Sequence, residues 1–183
     1  MVVAAVGTAN AEPKKESAPF TADEMEHLAV TTKPGHEVEV RTGLFLTFHH
    51  LQASAKLKVG WHRAVSAGGA FSVEIPVKFN DLMMRMAATD GVEIRVDVLG
   101  GPVGTVKWTT SCARPKDSTR GPKYVKIEDK TERIGDRAWA RRMELGPRIC
   151  SLTVETTGTD PLPPEADVKR FFNSIKSTSE PTW

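Results

Sequence analysis

The sequence contains no run approaching the roughly 18 apolar residues that a membrane-spanning helix requires. It has no excess of either charge: 25 Lys plus Arg stand against 23 Asp plus Glu, a formal net charge of +2. A dedicated polyanion binder usually carries a strong basic excess, so the balance disfavours nucleic acid as a partner. No repeat occurs at solenoid or propeller periods. The serines stand in no G-x-S-x-G context, which removes the hydrolase elbow. Gly100-Gly101-Pro102-Val103-Gly104 is glycine-rich but joins two expected strands and opens no helix, so it is no phosphate loop. The histidines fall at no ligand spacing. In His49-His50, neighbours on a strand point to opposite faces and chelate poorly. No metal, cofactor or catalytic set is therefore expected. Neither of the two cysteines has a nearby histidine in sequence to make it a nucleophile.

What remains is the composition of an ordinary soluble globule, 39% hydrophobic and 26% charged over 183 residues. A chain of this length buries enough surface to fold without staples. The expected layout is a tail over residues 1–18, a single domain over 19–177, and a C-terminal tail over 178–183. Ala9-Asn10-Ala11 is a small-x-small triplet of the type signal peptidase cleaves, and the polar stretch from Glu12 suits a mature N-terminus. Two readings of the tail stay open, a signal-peptide remnant and a merely disordered end.

Trp61 to Phe79 organises the rest. Phe71, Val73 and Ile75 alternate with Ser72 and Glu74, the period of a half-buried strand. Gly68 and Gly69 suit the tight turn before it, and Pro76 ends it. Val59 to Val65 is expected to run back antiparallel, with Trp61 and Val65 on the inner face beside Phe71, Val73 and Ile75. Upstream, Thr21 and Glu24 form a capping box for a short helix with Met25, Leu28 and Ala29 inward. Val38 to Phe48 reads as a strand broken at Gly43.

Downstream, Leu82, Met84 and Met86 share one face. Thr89-Asp90-Gly91 turns, and Val92, Ile94, Val96 and Val98 alternate with Glu93, Arg95 and Asp97. After Gly100-Gly101-Pro102, Val106, Trp108, Thr110 and Cys112 alternate again. These three strands are expected as an antiparallel meander with one wet and one dry face. Trp61 and Trp108 both read as core. Tyr124 to Ile134 is a charged strand near an edge. Arg137 to Leu145 and Arg148 to Thr157 form a hairpin about Gly146-Pro147, with Cys150, Leu152 and Val154 sharing a face. Pro163 and Pro164 suit a helix start, with Glu165 and Asp167 in its first turn. Val168, Phe171, Phe172 and Ile175 then make one apolar stripe.

The expected fold is therefore α+β: an antiparallel sheet of about 6–8 strands, with the C-terminal amphipathic helix packed on one face and a short N-terminal helix. Gly68 to Pro76 and Glu165 to Lys176, with the antiparallel strands between them, resemble small extracytoplasmic bacterial domains of the PsbP-like superfamily. That resemblance implies an antiparallel sheet flanked by helices and a role in binding or assembly, and carries over no catalytic residues. The loop between Cys112 and Tyr124 is shorter than the family's helical insertion.

Two constellations carry candidate chemistry. Cys112 and Cys150 both fall on expected inner faces, so neighbouring strands would permit a disulfide; two buried thiols are the alternative. Arg137, Trp139 and Arg141 point the same way on one strand. Arginine interleaved with an aromatic can bind an anionic ligand or partner, unless the nearby acids simply neutralise a solvated face. The arginines are expected outside, with Ala138 and Ala140 turned inward. The favoured reading is a non-catalytic periplasmic or secreted domain that binds a protein or envelope component. An anion- or nucleic-acid-binding module, which would suit a cytoplasmic protein, and an enzyme whose residues meet only in space are the alternatives.

Overall fold

Period-two alternation builds nearly all of the structure, a computed structural model that describes residues 28, 31–49, 57–87, 93–115 and 127–178. Among these residues eleven strands follow in chain order: β1 (Glu37–Arg41), β2 (Leu44–His49), β3 (His62–Val65), β4 (Phe71–Ile75), β5 (Asn80–Ala87), β6 (Glu93–Val103), β7 (Val106–Pro115), β8 (Lys130–Ile134), β9 (Ala138–Leu145), β10 (Arg148–Thr156) and β11 (Lys176–Ser177). A helix, α1 (Glu165–Asn173), precedes β11. Eight strands form an antiparallel sheet in the order β1-β2-β5-β6-β7-β10-β9-β8, and β11-β4-β3 form a second.

The expected α+β class is overturned. Strand accounts for 57% and helix for 9% of the described residues, so the protein is mostly β. The expectation was one antiparallel sheet, with no second sheet set apart for the hairpin of β3 and β4. It instead makes a separate small sheet, closed by the two residues of β11, and shares with α1 the layer over the large sheet. The helix expected from Thr21 lies, apart from Leu28, outside the described residues, and no N-terminal helix stands among those described. The Thr89-Asp90-Gly91 turn and the N-terminal tail also lie outside them.

The hairpin pairs His62 with Ile75 and Ala64 with Val73. Phe71, Val73 and Ile75 are fully buried as expected. The parity of β3 differs by one residue: Ala64 faces inward and Val65 is 49% exposed. Directly opposed residues share a face, and the turn fixes which ones are opposed. Gly69 takes φ 65°, its N–H donates to Ser66 O, and Ser66 pairs back to Phe71. Trp61 precedes the strand and reaches the core from the side, its ring edge-on to Trp108 at 5.9 Å.

Val168, Phe171, Phe172 and Ile175 are all buried, so α1 lies on the large sheet as its stripe requires. Its C-terminal end is tied to β4. The Glu74 N–H donates to Ser174 Oγ at 2.8 Å, and Arg63 Nη1 donates to Ser174 O at 3.1 Å. Glu74 also accepts from Arg170, whose guanidinium stacks 4.2 Å over Trp61.

The single dry face expected for the meander is not found. β6 pairs Leu99 with Thr110 and Val98 with Ser111, so Val98 points away from the side carrying Trp108 and Cys112. The main core gathers Leu99, Trp108, Cys112, Cys150, Leu152 and Val154 under the small sheet and α1. On the opposite face, Leu46, Phe48 and Leu82 form a second cluster with Leu28, Val40, Leu44, Met84 and Val98 packed against it. Among the described residues no helix is long and apolar enough to cross a membrane.

Candidate functional site

Cys112 and Cys150 are direct partners across β7 and β10, their Cα atoms 4.1 Å apart and their sulfurs bonded. The bond lies in the main core, with both residues at 1% exposure or less, so its role is structural. Among the described residues no three His, Cys, Asp or Glu side chains gather to hold a metal ion.

Trp139 and Arg141 lie on the helix-side face of β9, opposite Val154 and Leu152 of β10. The expected outward arrangement with Ala138 and Ala140 inward is therefore corrected. Trp139 packs partly buried against the main core, while Ala140 is buried on the other face. A buried guanidinium is costly unless paired, and Arg141 is fully engaged. It takes both carboxylate oxygens of Asp129 at 2.8 and 2.7 Å, and Nη1 donates to Phe172 O at 2.7 Å. It thus caps the C-terminal end of α1, where carbonyls lack intrahelical partners. The bonds from Arg141 hold the Asp129 carboxyl below its usual range. Arg137 stands just before the strand, exposed.

Beside Trp139 the fold leaves a groove of about 190 Å³ between α1 and the outer strands. Glu165, Val168, Lys169, Phe172 and Asn173 line one side, spaced as a single helix face. Trp139 and Thr131 of β8 line the other. Lys169 pairs with Glu165 at 2.7 Å, leaving Val168, Phe172 and Trp139 as the apolar walls. Through Thr131 the groove adjoins β8, the last strand of the sheet among the described residues, in which all five residues are exposed. Its position is not legible in the sequence, because it needs the helix and the edge strand to be neighbours.

A second constellation lies further along the same face. The registers place Arg85 of β5 opposite Arg95 of β6, and Arg95 opposite Arg114 of β7. Glu37 takes Arg85 in two bonds, at 3.0 and 2.6 Å, and Glu93 takes Arg95 at 2.9 Å. The bond from Arg85 holds the Glu37 carboxyl below its usual range. One pair further in, Asp97 lies opposite Cys112 and is 3% exposed. Its Oδ1 accepts from the Gly68 N–H at 3.1 Å, at the tip of the β3–β4 hairpin. A Cβ on Gly68 would stand 2.3 Å from that oxygen, so the glycine permits the approach. The only sequence signal for it is the pair Gly68-Gly69, which reads as a turn whether or not a carboxylate lies beneath it.

Burial pushes the Asp97 carboxyl up from 3.8 to about 6, with Asp81 adding to the rise; the Gly68 N–H, Arg148 and Arg95 pull against it. The folded state therefore binds this proton more tightly than the unfolded chain. The stabilisation is complete below about pH 4 and is lost as pH rises through about 6, a change on the order of 3 kcal/mol. Glu37 and Asp129, held low, give slopes of the opposite sign at lower pH. Denaturant melts of the parent and of Asp97→Asn across pH 3.5 to 7 isolate the Asp97 contribution. Their difference should slope between about pH 4 and 6 and be level above it.

No protein-family model, no curated protein and no solved structure matches this chain.

Proposed function

We propose that this chain is a non-catalytic binding domain that receives an extended segment of a partner protein along β8, with one large apolar side chain of that segment entering the groove beside Trp139. The supporting observation is the adjacency of a sheet edge and an apolar slot. An added strand gains affinity from main-chain hydrogen bonds to an open edge and specificity from side-chain pockets next to it. The groove's 190 Å³ is below the roughly 300–1,000 Å³ of small-molecule sites and suits a single side chain. Lys130, Glu132 and Arg133 on β8 are the charges by which edge strands resist pairing with their own kind. A guarded edge alone has no need of a slot beside it.

The buried disulfide fits an oxidising compartment, and the Ala9-Asn10-Ala11 triplet suits export, so the domain is proposed to act in the periplasm or after secretion. The binding and assembly roles of PsbP-like domains support the same reading. A polyanion-binding role for Arg137, Trp139 and Arg141 is weakened by the commitment of Arg141 to Asp129 and to α1.

Selection of displayed peptides on the folded domain, followed by amide and indole NMR, tests the proposal. Selected peptides should share a large apolar residue and shift the β8 amides and the Trp139 indole N–H. Trp139→Ala should weaken them by about 10–100-fold, the effect of losing an aromatic anchor. Peptides that bind without moving β8 signals, or a selection that yields none, would remove this edge as the binding site.

A further inference from the structure

The row of arginines extends one strand beyond Arg114. β10 and β7 pair Cys150 with Cys112 and Ile149 with Ala113, and the next step in that register sets Arg148 beside Arg114. Arg85, Arg95, Arg114 and Arg148 thus stand side by side across four adjacent strands on one face. Like charges placed opposite one another repel, and a protein gains nothing from four in a row unless negative charge meets them. Glu37 and Glu93 meet the outer end at Arg85 and Arg95.

Arg148 differs. Arg148 is 2% exposed, the largest fully buried side chain among the described residues, and neither Nη1 nor Nη2 has a hydrogen-bond partner. Donors buried in this way cost free energy, more for a charged group. Asp97 shares the helix-side face of β6 with Arg95. It lies close enough to feel Arg148, yet it spends Oδ1 on Gly68 and makes no bond to the guanidinium. Asp81, also buried, acts on Asp97 and lies opposite Leu99, further along the sheet.

We propose that Arg148 forms a site for a small free oxyanion, phosphate or sulfate. Two terminal nitrogens in one plane match two oxygens of one anion, a bidentate contact that a single water cannot supply. The enclosure of Arg148 favours a free ion over an anionic group carried on a larger molecule.

The test uses the full chain with its disulfide intact. Thermal stability is followed while inorganic phosphate or sulfate is added to about 10 mM, against chloride at matched ionic strength, a range where general salting effects are small. A saturable rise in Tm with the oxyanions alone is expected. Arg148→Gln should abolish it, whereas Arg142→Gln, an exposed arginine on the opposite face of β9, should retain it. No rise in the parent, or a rise that survives Arg148→Gln, would overturn the site. If Arg148→Gln does not fold, the titration is read in the parent on the guanidinium 15N resonances. A selective, saturable shift of the Arg148 signals supports the site, and their failure to move refutes it.

Discussion

Replacing Phe171 by alanine is expected to lower the stability of this protein by about 3–5 kcal/mol, the range for truncating a buried phenylalanine. The side chain is fully buried. Its ring meets Trp108 edge-on at 5.3 Å and lies against Phe172 at 5.7 Å. Trp108 meets Trp61 in turn, so the ring joins the helix, the large sheet and the segment leading into β3. Truncation would leave a cavity at that junction, where three separate elements would all have to move to refill it. A fall in Tm of roughly 10 °C is expected for a domain of this size. Lys169→Ala, exposed on the same helix, should shift the stability by no more than about 0.5 kcal/mol. Equal melts for the two variants would mean that α1 is not docked as described.

The second large effect is expected from the disulfide. Cys112 and Cys150 are 38 residues apart, and a cross-link over such a loop stabilises by about 3–4 kcal/mol, chiefly by restricting the unfolded chain. Cys112→Ala combined with Cys150→Ala should lose that amount, and reduction of the parent should lose a similar one. The strands remain paired on both sides of the bond, so the variant is expected to fold with the same sheet. Thiol counting under denaturing, non-reducing conditions supplies an independent readout. Two free thiols in protein recovered from an oxidising compartment would show that the bond does not form there. If the domain is made in a reducing compartment, it should have the lower stability throughout.

Features determined by neighbours along the chain are legible in the residues themselves. The hairpin about Gly68-Gly69, the hairpin about Gly146-Pro147 and the stripe Val168, Phe171, Phe172, Ile175 all follow from local turn chemistry and periodicity. Alternation tells which residues share a face, but not which face is covered. Val96 and Val98 look as suited to the main core as Leu99 does, and only the pairing of Leu99 with Thr110 decides between them. The assignment of β3 and β4 to a second sheet is hidden for the same reason, since a hairpin looks alike in either sheet. β11 is two residues long and carries no pattern at all. The arginine row is illegible because its members lie on four strands and are not clustered in sequence. The run that is clustered, Arg137 to Arg142, stands out for its spacing, yet Arg141 serves the end of α1.

The reversal of the covered face along the large sheet bears on how the molecule comes apart. Leu99 belongs to one cluster and its neighbour Val98 packs on the other, so β6 is a partition shared by two rooms. Among the described residues the outer room has Leu46, Phe48 and Leu82 enclosed, and the covalent link lies in the inner one. Fraying that begins at β1 can therefore pass through β2 and β5 at modest cost and halt at β6, where further opening has to expose Leu99 and then meets the cross-linked pair of β7 and β10. The strand at the opposite border, β8, is backed by β9 and β10 of the inner room. The proposed binding edge thus sits on the cross-linked side of β6, away from the border where such fraying would start.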